Sequence, residues 1–163
     1  MRSNGRLLGG FGEFREHYMA IQFQLIDFSS DYYQDACQLR DVVLRRPLGM
    51  KLSLQDTKND HLGIHLAGFD ADLLMCTAIL FQNNAAVKIT QVAIDSAYQA
   101  QGIGRQLMAC AEVSAKNLSA VRCYCHARLT VKAFYQAIGY QPQGEIFEEI
   151  GIPHIMMQKC LLE

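Results

Sequence analysis

Between Gln91 and Arg105 the chain runs from an apolar, strand-like stretch through a turn bearing Gly102 and Gly104 into the start of a helical pattern. That order suits an anion. The first N–H groups of a helix have no partners inside it and sit at the positive end of its dipole. Glycines let the main chain approach a ligand with no side chain in the way, and Arg105 adds a charge-assisted contact. A phosphate or pyrophosphate is the expected ligand. Two nucleotide-binding signatures fail on spacing. A dinucleotide fingerprint needs Gly or Ala where Leu107 stands, and a P-loop needs Gly-Lys-Ser/Thr where Gly104 is followed by Arg105 and Gln106. Taken alone, the turn also serves as a plain strand-to-helix reversal.

Proton chemistry has several carriers near the C-terminus. Gly151 and Pro153 mark a turn that places His154 at a strand start, where a neutral imidazole relays protons near pH 7 or ties the loop down. Glu148 and Glu149 read as solvated charges or as attractors of a cation, and His126 follows an alternating strand. The six cysteines (Cys37, Cys76, Cys110, Cys123, Cys125 and Cys160) lie in apolar segments without a C-x-x-C pair or zinc-type spacing, which implies reduced thiols and no metal site. Cys123 and Cys125 share one face of a strand.

These residues need a scaffold. Ile21, Phe23 and Leu25 alternate as a strand, Ser29 or Ser30 caps a helix striped by Tyr33, Ala36, Leu39 and Val43, and Pro47 ends it. A polar loop follows. Strands are expected over His61–Gly68, Leu73–Phe81 and Ala86–Ile94, joined by turns at Asp70-Ala71-Asp72 and Asn83-Asn84. A helix over Gly104–Asn117 turns Leu107, Ala111, Ser114 and Leu118 inward. A strand with Val121, Cys123 and Cys125 comes next, then a short helix over Leu129–Ile138 ended by Gly139. Strands over Tyr140–Phe147 and His154–Cys160 finish the chain. The glycine- and arginine-bearing residues 1–18 show no period and read as a flexible extension, leaving 19–163 as one mixed α/β domain.

The run Gln99-Ala100-Gln101-Gly102-Ile103-Gly104 resembles the Q/R-x-x-G-x-G/A signature of the GNAT superfamily of N-acetyltransferases, and Val92-Ala93-Ile94 is similar to that family's central strand. Further on, Ala133-Phe134-Tyr135 through Gly139-Tyr140 resembles its second motif, with Arg128 where the family often has Asn and Val131 where it has Ala. The resemblance implies a mixed, largely antiparallel sheet of six or seven strands with helices on both faces. It also implies a splay between the Ala86–Ile94 and Val121–Cys125 strands that admits acetyl-CoA. Main-chain groups of Gln99 through Arg105 would hold the pyrophosphate, and Val92, Ala93 and Ile94 the pantetheine arm and acetyl carbonyl. Tyr135 takes the position from which many members protonate the departing thiolate, though packing alone would also account for it. The stretch Gly151-Ile152-Pro153-His154 resembles a small bacterial subgroup.

The expectation is therefore an acetyl transfer from acetyl-CoA to an amine by direct attack in a ternary complex. No G-x-S-x-G elbow supports an acyl-enzyme. Gln91 stands where some members place a Glu base and cannot act as one, so the base is His154, His126, Glu148, Glu149 or water. The acceptor, a small molecule or a peptide amine, stays open. The alternatives are a non-catalytic acyl-CoA sensor, in which Tyr135 is dispensable, and an interaction module that binds no CoA. A net charge of −1 gives no field for nucleic acid. The longest largely apolar stretch, Leu73 to Phe81 with Thr77 inside it, is too short to span a membrane, and nothing resembles a secretion signal, so a cytoplasmic location is expected. The resemblance is compatible with a homodimer.

Overall fold

The computed structural model describes residues 21–162, so the expected extension over 1–18 lies outside the described residues. After β1 (Gln22–Ile26), the Ser30 hydroxyl accepts a hydrogen bond from the Tyr33 amide and caps α1 (Asp31–Arg40). α1 buries Tyr33, Ala36 and Leu39, as its periodicity requires; Val43 lies beyond it and is partly buried. The chain then widens into a π turn over Asp41–Arg45 and closes with a 3-10 turn over Arg46–Leu48, which contains Pro47. The stretch expected to be a polar loop holds a short helix, α2 (Leu54–Thr57), started by a reciprocal Ser53–Asp56 capping box. Four residues are too few to show a helical period, which is why the sequence pattern hid it.

Three antiparallel strands follow as a meander: β2 (Ile64–Asp70), β3 (Leu73–Asn83) and β4 (Ala86–Ile94). Ala71 and Asn84 take positive φ in the two connecting turns. α3 (Ile103–Asn117) leads to β5 (Arg122–Arg128), then α4 (Lys132–Ala137), β6 (Gln141–Glu149) and β7 (Ile152–Cys160). The buried stripe of α3 is Ile103, Leu107, Met108, Ala111 and Ala115; Ala115, rather than Ser114, takes the innermost place in its last turns. Cys123 and Cys125 are both buried on one face of β5, together with Ala127.

The seven strands form one sheet in the order β1-β2-β3-β4-β5-β7-β6. Every neighbouring pair is antiparallel except β4 and β5. α1 covers one face, packing on Ala67, Phe69, Leu74 and Ala93. α3 covers the other face, over a larger core that includes Met75, Val87, Ile89, Cys123 and Met157. This is the expected architecture, with seven strands.

One feature of the sheet creates space. β4 and β5 pair only at Ala86–Arg122, Val87–Cys123 and Lys88–Tyr124. Beyond Lys88 they diverge, and among the described residues that edge of β4 has no strand partner. The divergence coincides with a bulge, because the register against β3 slips between Thr77 and Ile79, opposite Gln91 at φ +54°.

Candidate active site

A cavity of about 1130 Å³ fills the splay and reaches both faces of the sheet. Val92 and Ile94 line it from β4. Gln99, Ala100, Gly102, Ile103, Gly104 and Arg105 line it from the following turn and from α3, and Tyr135 and His154 also face it. Two expected residues do not. The alternation that turns Val92 and Ile94 toward the cavity turns Ala93 onto α1, where it is almost fully buried. Gln101 points outward, its side-chain amide donating to the Ala97 carbonyl.

On the α3 side the site is made of main chain. Gly102 precedes the helix with φ +80°, Ala100 has φ +60°, and among the described residues no side chain caps the helix end. Gln106 is the first amide to donate within the helix, to the Gly102 carbonyl. The amides of Ile103, Gly104 and Arg105 thus remain available to a ligand. The turn is braced from within by Gln99, which donates to the Ile94 carbonyl at 3.0 Å, and by Asp95, which accepts from Ala97. Gly104 has a different reason for being glycine than ligand approach alone. A Cβ there would stand 2.8 Å from Ile94 and 3.3 Å from Phe134, so its smallness lets α3 pack onto β4 and α4.

Tyr135 sits where the faces meet. Its ring packs edge-on against Phe134 and Tyr140, and its hydroxyl lies beside the Cys125 thiol. Burial first, then the nearby Cys125, push the phenol far above its usual pKa, so it stays protonated at any physiological pH. Burial also pushes the Cys125 thiol up to about 12. It is therefore no thiolate nucleophile, although it lines the cavity.

The α1 side is made of side chains. His126 on β5, Glu149 at the end of β6 and His154 on β7 meet there. His126 Nδ1 lies 2.9 Å from Glu149 Oε1, and His154 Nε2 lies 3.8 Å from Glu149 Oε2. Carboxylates and carbonyls only accept, so His126 Nδ1–H donates to Glu149, and His154 Nδ1–H donates to the Ile152 carbonyl at 2.7 Å. Each imidazole is left with Nε2 as its basic atom. Burial would raise the Glu149 carboxyl, but the hydrogen bond and charge of His126, with Lys88 and His154, hold it below the usual value. Glu148 points the other way, is exposed and does not line the cavity.

Sequence reasoning missed the buried support behind this half. Arg40, 1% exposed, donates to Asp60 Oδ2 at 2.6 Å and to Gln91 Oε1 at 3.0 Å. The Tyr33 hydroxyl donates to the same Asp60 oxygen at 2.8 Å. Gln91, unable to be a base, instead links the strained bulge of β4 to α1. No local motif announces a contact between residues 51 positions apart.

Residues 58–161 match the family model for the acetyltransferase (GNAT) domain. The chain belongs to the GNAT acetyltransferase family. It is an acyltransferase of that family by sequence and by fold. The Escherichia coli protein ElaA is 29% identical over 103 residues, which cover 61% of this chain and 67% of ElaA. The ElaA crystal structure superposes with a TM-score of 0.73 at 28% identity, over 85% of this chain and 99% of ElaA. A Lactobacillus plantarum protein assigned as an N-acetyltransferase reaches a TM-score of 0.77 at 26% identity, covering 88% and 99% of the two chains. A Bacillus subtilis acetyltransferase solved with CoA shares the fold, with a TM-score of 0.68 at 20% identity over 87% and 99%.

Proposed function

We propose that this protein transfers an acetyl group from acetyl-CoA to an amine by direct attack in a ternary complex. The observation that carries the reading is the open N-terminus of α3, three unpartnered amides facing a cavity cut through the sheet at the β4–β5 splay. These amides and Arg105 would hold the pyrophosphate, and the unpaired edge of β4 past Lys88 would run beside the pantetheine arm. That a family member of the same fold is solved with CoA supports this. Acetyl-CoA supplies the acyl group as a thioester.

The remaining steps belong to side chains. An ammonium has no lone pair with which to attack, so its proton must leave first. His126 accepts it at Nε2, with Glu149 holding the ring and stabilising the imidazolium as it forms. His154, nearly buried, has Nε2 3.8 Å from Glu149 Oε2 and attracts that carboxylate only when both its ring nitrogens carry protons. The Tyr135 hydroxyl donates to the leaving thiolate sulfur. A phenol held so far above its usual pKa is a weaker acid than a thiol, so the benefit lies in a hydrogen bond that strengthens as charge develops on sulfur. A neutral Cys125 disfavours an acetyl-enzyme, which supports direct transfer. The Gly151-Ile152-Pro153-His154 stretch supports placement in a bacterial subgroup that shares it, and a cytoplasmic location goes with this reading.

The test is a screen of amines monitored by CoA release, followed by initial-velocity kinetics on the best acceptor. Intersecting double-reciprocal lines are expected; parallel lines would mean an acetylated enzyme. Tight acetyl-CoA binding without turnover on any amine would favour the sensor reading.

A further inference from the structure

Arg128 ends β5 on the face that carries His126 and His154, opposite the face that packs on α3. Its Nη2 donates to the Leu44 carbonyl at 2.9 Å, across the cleft on the turn after α1. Arg45 Nη1 donates to the same carbonyl at 3.2 Å. One oxygen thus holds two guanidinium groups side by side. Arg45 is neutralised by Asp56, with Nη2 3.0 Å from Oδ1. Among the described residues Arg128 has no carboxylate within ion-pairing distance, and its other guanidinium donors have no partner. Both arginines line the cavity.

Asp56 offsets Arg45 alone, so the Arg128 charge stays in a partly desolvated cleft with no anion beside it among the described residues, which is unfavourable. Burial and the neighbouring Arg45 disfavour the charge on Arg128. The guanidinium cannot lose its proton at ordinary pH, so the imbalance persists until a ligand offsets it. A planar fork with free N–H groups matches a carboxylate by two parallel hydrogen bonds. The phosphates of CoA are poor candidates, because the amides suited to them open on the α3 side of the sheet.

We infer that Arg128, with Arg45 beside it, binds the carboxylate of the acceptor, so that the substrate is an amino acid or a similarly compact molecule carrying both an amine and a carboxylate. This rests on the acetyl-transfer reading above. The spacing fits a compact acceptor. Arg128 is the direct cross-strand partner of His154, which places their Cα atoms about 5 Å apart, and it lies two residues from His126 on the same face. An amine reaching His126 and Glu149 therefore leaves its carboxylate within a few bonds of Arg128.

The experiment measures CoA release with the L-amino acids and, in parallel, with their α-carboxamides, which keep the amine and remove the anion. At least one acid should exceed its amide by tenfold or more in kcat/KM. Arg128→Gln removes the guanidinium fork; it should bring that ratio close to one, chiefly through a higher KM for the acid, while calorimetry still finds acetyl-CoA bound. Arg128→Lys should keep part of the preference, which a purely structural role would not produce. Amides that match the acids, a preference that survives Arg128→Gln, or turnover confined to amines without carboxylates would each overturn the inference and leave acetyl transfer standing. Failure of acetyl-CoA to bind in calorimetry would instead remove the underlying function, and this inference with it.

Discussion

The two halves of the cavity are built from different materials. On the α3 side the cavity presents main-chain amides, on a turn of consecutive residues that its own Gln99 and Asp95 brace. On the α1 side they are side chains from β5, β6, β7 and the turn after α1, brought together only by the fold. The first half can hold an invariant group, because every chain supplies amides. On the proposed reading the second half selects the acceptor. Beneath it the Arg40–Asp60 pair is buried and reaches the cavity through Gln91, whereas its wall, Glu149, is about half exposed.

The largest expected effect breaks that buried pair. Arg40→Ala leaves the Asp60 carboxylate buried without its cation and should cost about 3–5 kcal/mol in urea unfolding. A loss below about 1 kcal/mol would mean that the bulge at Gln91 stands without α1. Next comes the point where the halves meet. Tyr135→Phe keeps the packed ring and removes the donor, so kcat should fall by about 10²-fold while acetyl-CoA affinity stays constant. Normal turnover would hand the proton donation to solvent. On the α3 side, Arg105→Glu sets a carboxylate beside the phosphates at an exposed position and should weaken acetyl-CoA about tenfold, roughly 1.4 kcal/mol, in calorimetry. This variant is a cleaner probe than a change at Gly104, where any side chain meets Ile94 and Phe134. An unchanged affinity would move the pyrophosphate elsewhere.

The smallest effect is at the acid end. Glu149 has a folded pKa below its usual value, so its contribution to stability is complete above the ordinary carboxylate range and is lost as pH falls through that lowered value. Glu149→Gln should lower stability by a small amount at neutral pH and remove that acid-side slope, so that the curves of parent and variant converge at low pH. A slope that persists would assign it to another carboxylate.

The same contrast explains what could be read from the sequence. Strand alternation, the Ser30 cap and the stripe of α3 are local, so the order of elements was legible. The Gln99–Arg105 turn was legible too, because its chemistry depends on neighbouring residues; the roles expected of Ala93 and Gln101 are main-chain ones, which side chains turned away from the cavity leave open. The α1-side cluster was visible as four candidate bases without a geometry. Pairing β5 with β7 and β6 with β7 is what brings His126 to Glu149 and removes Glu148. Arg128 stood out only as an unexpected residue in a motif, and its meaning depends on Arg45, 83 positions earlier, through a shared carbonyl.

Amide chemical shifts of the 15N-labelled protein, followed during titration with CoA, test the division of the cavity most directly. The account predicts the largest perturbations at Gly102, Ile103, Gly104 and Arg105 and along β4 past Lys88, with His126, Glu149 and His154 little changed. Perturbations centred on the α1 side, or their absence at the start of α3 under saturation, would contradict it.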